Sequence, residues 1–309
     1  MDHFILDTSS GTALRPQCTR VVSALRADAF TVLFAWLILA WPARPVAAAP
    51  PDPQSHDPRI RPPIRAWFQP PFLDTMPSLY AHMTLVTSLT DAKSADYWTK
   101  HGVVALRWCF GPTSEYSGGR AAYYCGQCDP TIDGKVCFAG VGIDEWDPGQ
   151  KRYAAEKDMA ARGFRAARKK WPKNLMVCWV TQPDETFLGL LRDGTFDLAI
   201  IEGYTFIPDV GGLTMDAVCG RCEIVKKAGL LDRTIVCLGY LSATPDKSGR
   251  AMTIGQIERN VRLIKEKYPE MPGVAFYGFP DDSPQTRQLI RQTDELSGRL
   301  YPATIRPKP

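Results

Sequence analysis

From Ile64 onward, short runs of alternating or continuous apolar residues take turns with longer stretches whose apolar positions recur every three to four residues. The first pattern is that of strands and the second that of amphipathic helices, and their regular exchange predicts a parallel sheet covered by helices. Candidate strands are Ile64 to Phe68, His82 to Ser88, Val103 to Cys109, Cys137 to Asp144, Leu175 to Val180, Leu198 to Tyr204, Thr234 to Tyr240 and Val274 to Phe279. Helices are expected over Gln150 to Lys170, Thr214 to Ala228, Thr253 to Lys267 and Pro284 to Leu296. The first of these stops before Trp171-Pro172, because proline disfavours a helical residue before it. The third opens on a Thr253-x-x-Gln256 capping box and carries Ile254, Ile257, Val261 and Ile264 on one face.

Eight strands alternating with helices suit a closed (β/α)8 TIM barrel better than an open Rossmann sheet. No Gly-x-Gly-x-x-Gly follows the first strand and no Walker A sequence is present, so nucleotide cofactors lack support. Length agrees: setting aside residues 1–49 of the 309 leaves about 260, close to the ~250 of a single barrel. Those first 49 residues read as a signal peptide. Arg15, Arg20 and Arg26 precede an uncharged apolar run from Ala29 to Trp41, and Ala47-Ala48-Ala49 supplies small residues for cleavage. The apolar run is short of the ~20 residues that span a bilayer. An uncleaved anchor is the competing reading, since Trp36 and Trp41 lengthen it. Residues 50–63 form a proline-rich linker, and 64–309 the barrel domain. The expected location is therefore periplasmic or extracellular, without stable membrane association after cleavage. A formal charge of +4 on 37 basic and 33 acidic residues gives no electrostatic case for nucleic acid.

Barrel chemistry belongs at the C-terminal strand ends. The fourth candidate strand ends Gly140-Val141-Gly142-Ile143-Asp144-Glu145-Trp146, and alternation puts Gly140, Gly142 and Asp144 on the inner face, with Glu145 at the tip. The sixth ends Ile200-Ile201-Glu202-Gly203-Tyr204, and a glutamate in so apolar a strand is costly unless paired or used. Its structural alternative is an ion pair with a buried arginine such as Arg107 at the third strand end. Two carboxyl groups at strand ends suit glycosidic cleavage, in which one protonates the leaving oxygen and the other attacks or activates water. Glu202 with Asp144 or Glu145 are the candidate catalytic residues. Trp108, Trp146, Trp179, Tyr204, Tyr240 and Tyr277, with Arg107, are the candidate carbohydrate-binding groups, flat rings being suited to stacking on sugars.

The runs Gly142-Ile143-Asp144-Glu145-Trp146 and Glu202-Gly203-Tyr204 resemble the fourth and sixth strand ends of exported TIM-barrel glycoside hydrolases and glycoside-hydrolase-like proteins. The resemblance implies a carbohydrate substrate or ligand, a hydrolase of O-glycosyl bonds, and as its alternative a catalytically silent barrel that binds glycan or protein. Chitinase-type barrels carry Asp-x-x-Asp-x-Asp-x-Glu on the fourth strand. Here the first, third and glutamate positions are Val141, Trp146 and Pro148, which argues against substrate-assisted chemistry. The α-galactosidase-like clan, with acids on strands four and six, is less contradicted. The Asn-Glu pair and strand-seven glutamate of the cellulase-like clan are absent, strand seven ending Leu238-Gly239-Tyr240.

Of nine cysteines, Cys18 lies in the leader. Cys125-x-x-Cys128 and Cys219-x-x-Cys222 have the spacing of zinc half-sites, but they are far apart in sequence. An oxidising compartment favours disulfides, such as one from Cys125 or Cys128 to Cys137. A zinc-dependent hydrolase is a third functional reading, and no other cofactor is expected. Cys109, Cys178 and Cys237 read as small buried residues. With only His56, His82 and His101 beyond the leader, Cys/His and Ser/His catalysis are poorly supported. Asp281-Asp282-Ser283 and Asp184-Glu185 read as substrate contacts or helix caps, and the basic run Arg162 to Lys173 as a solvated helix face.

Overall fold

Eight parallel strands close on themselves in the computed structural model. The structure describes residues 59–60, 62–68, 70, 76–109, 120–146, 148, 156–203, 214–241, 252–278 and 282–302. In chain order the strands are β1 (Ile64–Phe68), β2 (Leu85–Leu89), β3 (Val104–Cys109), β4 (Thr131–Ile132), β5 (Lys135–Val136), β6 (Gly140–Ile143), β7 (Leu175–Val180), β8 (Leu198–Glu202), β9 (Thr234–Leu241) and β10 (Gly273–Gly278). The barrel runs β1-β2-β3-β6-β7-β8-β9-β10 and back to β1. Between β3 and β6 lies the short antiparallel hairpin of β4 and β5, and the strand expected from Cys137 begins only at Gly140, residues 137–139 leading from the hairpin into it. Asp133 and Gly134 both hold positive φ, and this two-residue turn ends the ladder after two pairs.

Helices α1 (Ala92–Lys100), α2 (Ala121–Gln127), α3 (Lys157–Lys170), α4 (Glu185–Arg192), α5 (Met215–Lys227), α6 (Ile254–Lys267) and α7 (Pro284–Leu300) accompany the barrel. Their starts follow capping chemistry. Asp91, Asp184, Thr214, Thr253 and Ser283 each accept a backbone N–H from three residues on, and Thr253 with Gln256 completes the expected capping box. Of the helix expected from Gln150, residues 150–155 lie outside the described residues, and α3 begins at Lys157.

Two sets of buried side chains follow from strand alternation. Inside the barrel lie Ile64, Ala66, Phe68, Leu85, Leu106, Leu175, Val177, Trp179, Leu198, Ile200, Ile235, Cys237 and Ala275. Between barrel and helices lie the alternate residues, among them Trp67, Val86, Val141, Ile143, Cys178, Ile201, Val236 and Phe276, joined by Trp146, Phe164, Phe187 and Phe196. Among the described residues no helix is long and apolar enough to cross a membrane; the apolar run from Ala29 lies outside them.

Candidate active site

The fourth barrel strand, β6, owes its inner face to two glycines. A Cβ on Gly140 would lie 2.1 Å from the Leu175 carbonyl oxygen, and one on Gly142 3.0 Å from Thr87 Cβ. Their neighbours can therefore close over the strand, and Asp144 is the next inward position. Its backbone N–H donates to the Cys109 carbonyl (2.9 Å), and that of Trp146 to the Trp179 carbonyl (3.2 Å), so the strand end is tied to both flanking strands. The Asp144 carboxylate accepts from Trp108 Nε1 at 3.3 Å. Trp108 is half-buried and packs against the inner cluster from β3, where it pairs with Gly142.

Glu145 has φ +47°, the left-handed region that side-chain-bearing residues rarely adopt. This reversal leaves Glu145 exposed and turns the following residue outward. Trp146 is 1% exposed and packs edge-on against Phe164 at 5.0 Å and Phe196 at 6.0 Å in the layer beneath the helices. The expectation that Trp146 stacks on sugar at the rim is corrected: alternation was carried past a residue that breaks it.

The sixth barrel strand, β8, presents Glu202 inward beside Leu198 and Ile200. Glu202 is 1% exposed and in register with Cys237 of β9. Burial, together with the nearby Glu202 carboxylate, pushes the Cys237 thiol well above the usual range. Gly203 donates its N–H to the Cys237 carbonyl (2.9 Å). A Cβ there would lie 3.0 Å from Val218 and from Val236, so only glycine lets α5 approach this strand end. Arg221 on α5 donates to the Glu202 carbonyl oxygen at 2.5 Å.

Arg107 faces away from Glu202. Its Nη1 donates to the carbonyls of Asp129 (2.9 Å) and Thr131 (3.0 Å) and pins the hairpin, so the ion pair with Glu202 and a substrate contact from inside the mouth both give way to a loop anchor. Trp179 does lie on the inner face, but it is fully buried against Phe68 at 4.8 Å, a floor for the mouth and not an open platform. Tyr277 is half-buried and stacks on Phe68 at 5.2 Å and 25°. Tyr204 lies outside the described residues, as does the Tyr240 side chain, whose backbone pairs with Tyr277. The structure thus joins Trp108 to Asp144 at the end of β6, sets Trp179 and Tyr277 in the inner cluster, and ends β8 on Glu202. It adds Phe68, which the alternation of Ile64, Ala66 and Phe68 marks, and Arg221, whose helix position carries no such mark.

Asp282 binds Arg287 and Ser283 caps α7, while Asp184 caps α4 and pairs with Lys157 at 3.4 Å, so the capping readings hold; Asp281 lies outside the described residues. The cysteines from Cys109 to Cys237 are free thiols. Cys128 is fully buried, and a hydrogen bond to Cys109 and burial push its thiol well up. Cys137 is half-buried at the hairpin end, its thiol donating to the Lys135 carbonyl at 3.3 Å. The expected staple to Cys137 is therefore not formed. Cys219 and Cys222 are buried on α5, where burial pushes the Cys222 thiol up to about 12 with Glu223, Arg221 and Lys267 as neighbours. The two Cys-x-x-Cys pairs do not converge. Among the described residues no three His, Cys, Asp or Glu side chains are placed to share a metal ion.

Neither a protein-family profile nor a curated protein sequence matches the chain. Solved structures do. A chitinase from Bacteroides thetaiotaomicron superposes with TM-score 0.57 at 13% identity, covering 78% of this chain and 96% of that one. The chain has the fold of the glycoside-hydrolase barrels. Active domain 2 of a chitinase from Pyrococcus furiosus, complexed with chito-oligosaccharides, gives 0.54 at 9% identity over 81% of this chain and 100% of that one. An endo-β-N-acetylglucosaminidase from Cordyceps militaris, as a mutant with fucosyl-N-acetylglucosamine-Asn, gives 0.52 at 15% identity over 75% and 91%. Within this barrel the chitinase-type acidic series is missing. Its third acidic position is Trp146, turned into the outer core, and its glutamate position is the buried Pro148.

Proposed function

We propose that this chain is an exported glycoside hydrolase that breaks a glycosidic bond with Asp144 and Glu202. The single observation that carries the reading is the placement of both carboxyl groups on the inner face of the barrel at the C-terminal ends of β6 and β8, two strands apart, with Trp108, Trp179, Phe68 and Tyr277 around them. One carboxylic acid gives its proton to the glycosidic oxygen as the C–O bond breaks. The other carboxylate attacks the anomeric carbon or takes a proton from water, and one water is consumed per bond. The half-buried rings of Trp108 and Tyr277 supply flat apolar contact for the sugar, above the buried Trp179 and Phe68. Residues 1–49, read as an export signal, give the enzyme access to extracellular or periplasmic polysaccharide.

The test is a panel of glycans offered to the chain from residue 50 onward, with Glu202→Gln and Asp144→Asn alongside. Cleavage by the parent that disappears in both variants supports the assignment; variants that cleave at the parental rate sink it. The anomer first released, read by NMR, distinguishes retaining from inverting chemistry.

A second reading, a barrel that binds glycan without turnover, draws on Glu202 being 1% exposed and Trp179 fully buried. It predicts glycan binding by the parent and by Glu202→Gln with equal affinity and no product.

A further inference from the structure

We infer that Cys109 and Cys128 are the two halves of a disulfide that closes as the chain folds in an oxidising compartment and fastens α2 to the end of β3. The inference is independent of the hydrolase reading and uses only the expectation of export.

Thiols gather on the outer side of the barrel, around its fourth strand. Cys109 ends β3 and Cys178 lies on β7, each in register with Ile143 of β6 from its own side, while α2 carries Cys125 and is closed by Cys128. Cys128 is at their centre: its thiol is in hydrogen-bonding contact with that of Cys109, and Cys125 and Cys178 are its next thiol neighbours. The backbone holds it there. The Cys128 thiol donates to the Tyr124 carbonyl at 3.4 Å, and the Cys128 carbonyl accepts Asn174 Nδ2 at 2.9 Å. Cys137, by contrast, turns its thiol to Lys135 of its own hairpin. The structure holds Cys109 and Cys128 as free thiols, the reduced form of the pair, and two sulfurs already in contact need only a small approach to bond.

The oxidant is a small-molecule or protein disulfide of the kind that oxidising compartments supply. One cysteine thiolate attacks it and expels a thiolate, and the second cysteine then attacks the mixed disulfide and expels the other. Two S–H bonds of the chain are lost and one S–S bond forms, while the oxidant takes up the two electrons and two protons as two thiols. Both cysteines are buried in the folded chain, and the contact with Cys109 together with burial pushes the Cys128 thiol well up, so that thiolate is scarce there. The bond is therefore made before α2 settles on the barrel. Its place links it to the mouth: the Cys109 carbonyl accepts the Asp144 N–H at 2.9 Å, and a link at this residue braces the strand end beside the aspartate.

The test is refolding of the full chain, reduced and denatured, into buffer with reduced and oxidised glutathione, followed by alkylation in denaturant and peptide mass mapping without reductant. A peptide linked through Cys109 and Cys128 is expected as the main disulfide. The chain refolded in this way should melt about 5–10 °C above the same chain refolded under reductant, the size of a staple across a loop of about 20 residues. Cys109→Ala and Cys128→Ala should each lose that dependence on the refolding buffer, and if either does not fold, the peptide map of the parent decides alone. Cys109 and Cys128 recovered as alkylated thiols, or either one bonded to Cys125, Cys137 or Cys178, overturns the inference. A parent that melts at one temperature from both buffers overturns it as well. Glycan cleavage does not enter these readouts, so a failed hydrolase assignment leaves the disulfide standing, and a missing disulfide leaves that assignment untouched.

Discussion

The two ends of the barrel bury charge in opposite ways. At the N-terminal end, Arg65 of β1 donates to the Tyr301 carbonyl at 2.6 Å and to the His82 carbonyl, and Asp294 of α7 accepts the His82 backbone N–H at 2.8 Å. Arg59 reaches the Ala139 carbonyl at 3.0 Å, just ahead of β6. Every one of these contacts ties one segment to another, and charge there serves as a fastener. At the C-terminal end, strand alternation turns Asp144 and Glu202 to the barrel axis, with Trp108 on Asp144 and a left-handed residue and glycines in the adjoining chain. The lesson is that a buried charge is diagnostic of chemistry only after its neighbours are examined. Asp294 and Glu202 are equally buried, and only one lies on the face where barrel enzymes react.

This contrast can be broken at four points. The largest effect is expected at the mouth: Asp144→Asn and Glu202→Gln should each lower turnover of a responsive glycan by about 10²- to 10⁴-fold, with melting temperatures close to the parent. A large fall in melting temperature without loss of turnover would move these residues into the fastener class. Next, Trp146→Ala should destabilise the fold by about 3–5 kcal/mol in urea titration, through loss of its contacts with Phe164 and Phe196, while glycan affinity of the folded fraction is unchanged. Weakened binding at full stability would restore Trp146 to the rim.

Third, burial pushes the Asp294 carboxyl up to about 7, against the opposing pull of the His82 N–H and Arg65. A raised carboxyl pKa means that the folded chain holds the proton more tightly. Its contribution is full below the ordinary value of 3.8 and is lost as pH climbs through about 7. Asp294→Asn, which keeps an acceptor for His82, should flatten a decline on the order of 2–4 kcal/mol across that interval. Equal pH slopes for parent and variant would refute it. The smallest effect is expected at Arg107→Met. Losing both carbonyl contacts should cost about 2 kcal/mol and deprotect the amides of the hairpin in hydrogen exchange, with little change elsewhere.

Much of the mouth was legible because alternation is rigid inside a strand. From Gly140 and Gly142 inward it follows that Asp144 is inward, and from Leu198 and Ile200 that Glu202 is. The eightfold exchange of strand and helix patterns gave the barrel for the same reason. Legibility stopped where alternation did. Trp146 follows a left-handed Glu145, and no period predicts such a reversal. Arg107 was misread because sequence shows a charge near a strand end and not the carbonyls of Asp129 and Thr131 that come to meet it. The Cys-x-x-Cys pairs show spacing along the chain, whereas sharing a metal depends on where α2 and α5 pack. Short helices such as α1 escaped notice because nine residues hold too few turns for a period, although Asp91 marks its start.

The single-residue reversal at Glu145 makes Asp144 and Trp146 two ends of one short lever, the first on the inner face beside Trp108 and the second clamped among phenylalanines. The alignment of the carboxylate is thus set from outside the mouth. On the proposed hydrolase reading, thermal inactivation is therefore expected to precede unfolding, because loosening the packing around Trp146 would shift the carboxylate first. Grafted loops that begin beyond Pro148 leave the lever whole, while an insertion between Asp144 and Trp146 severs it.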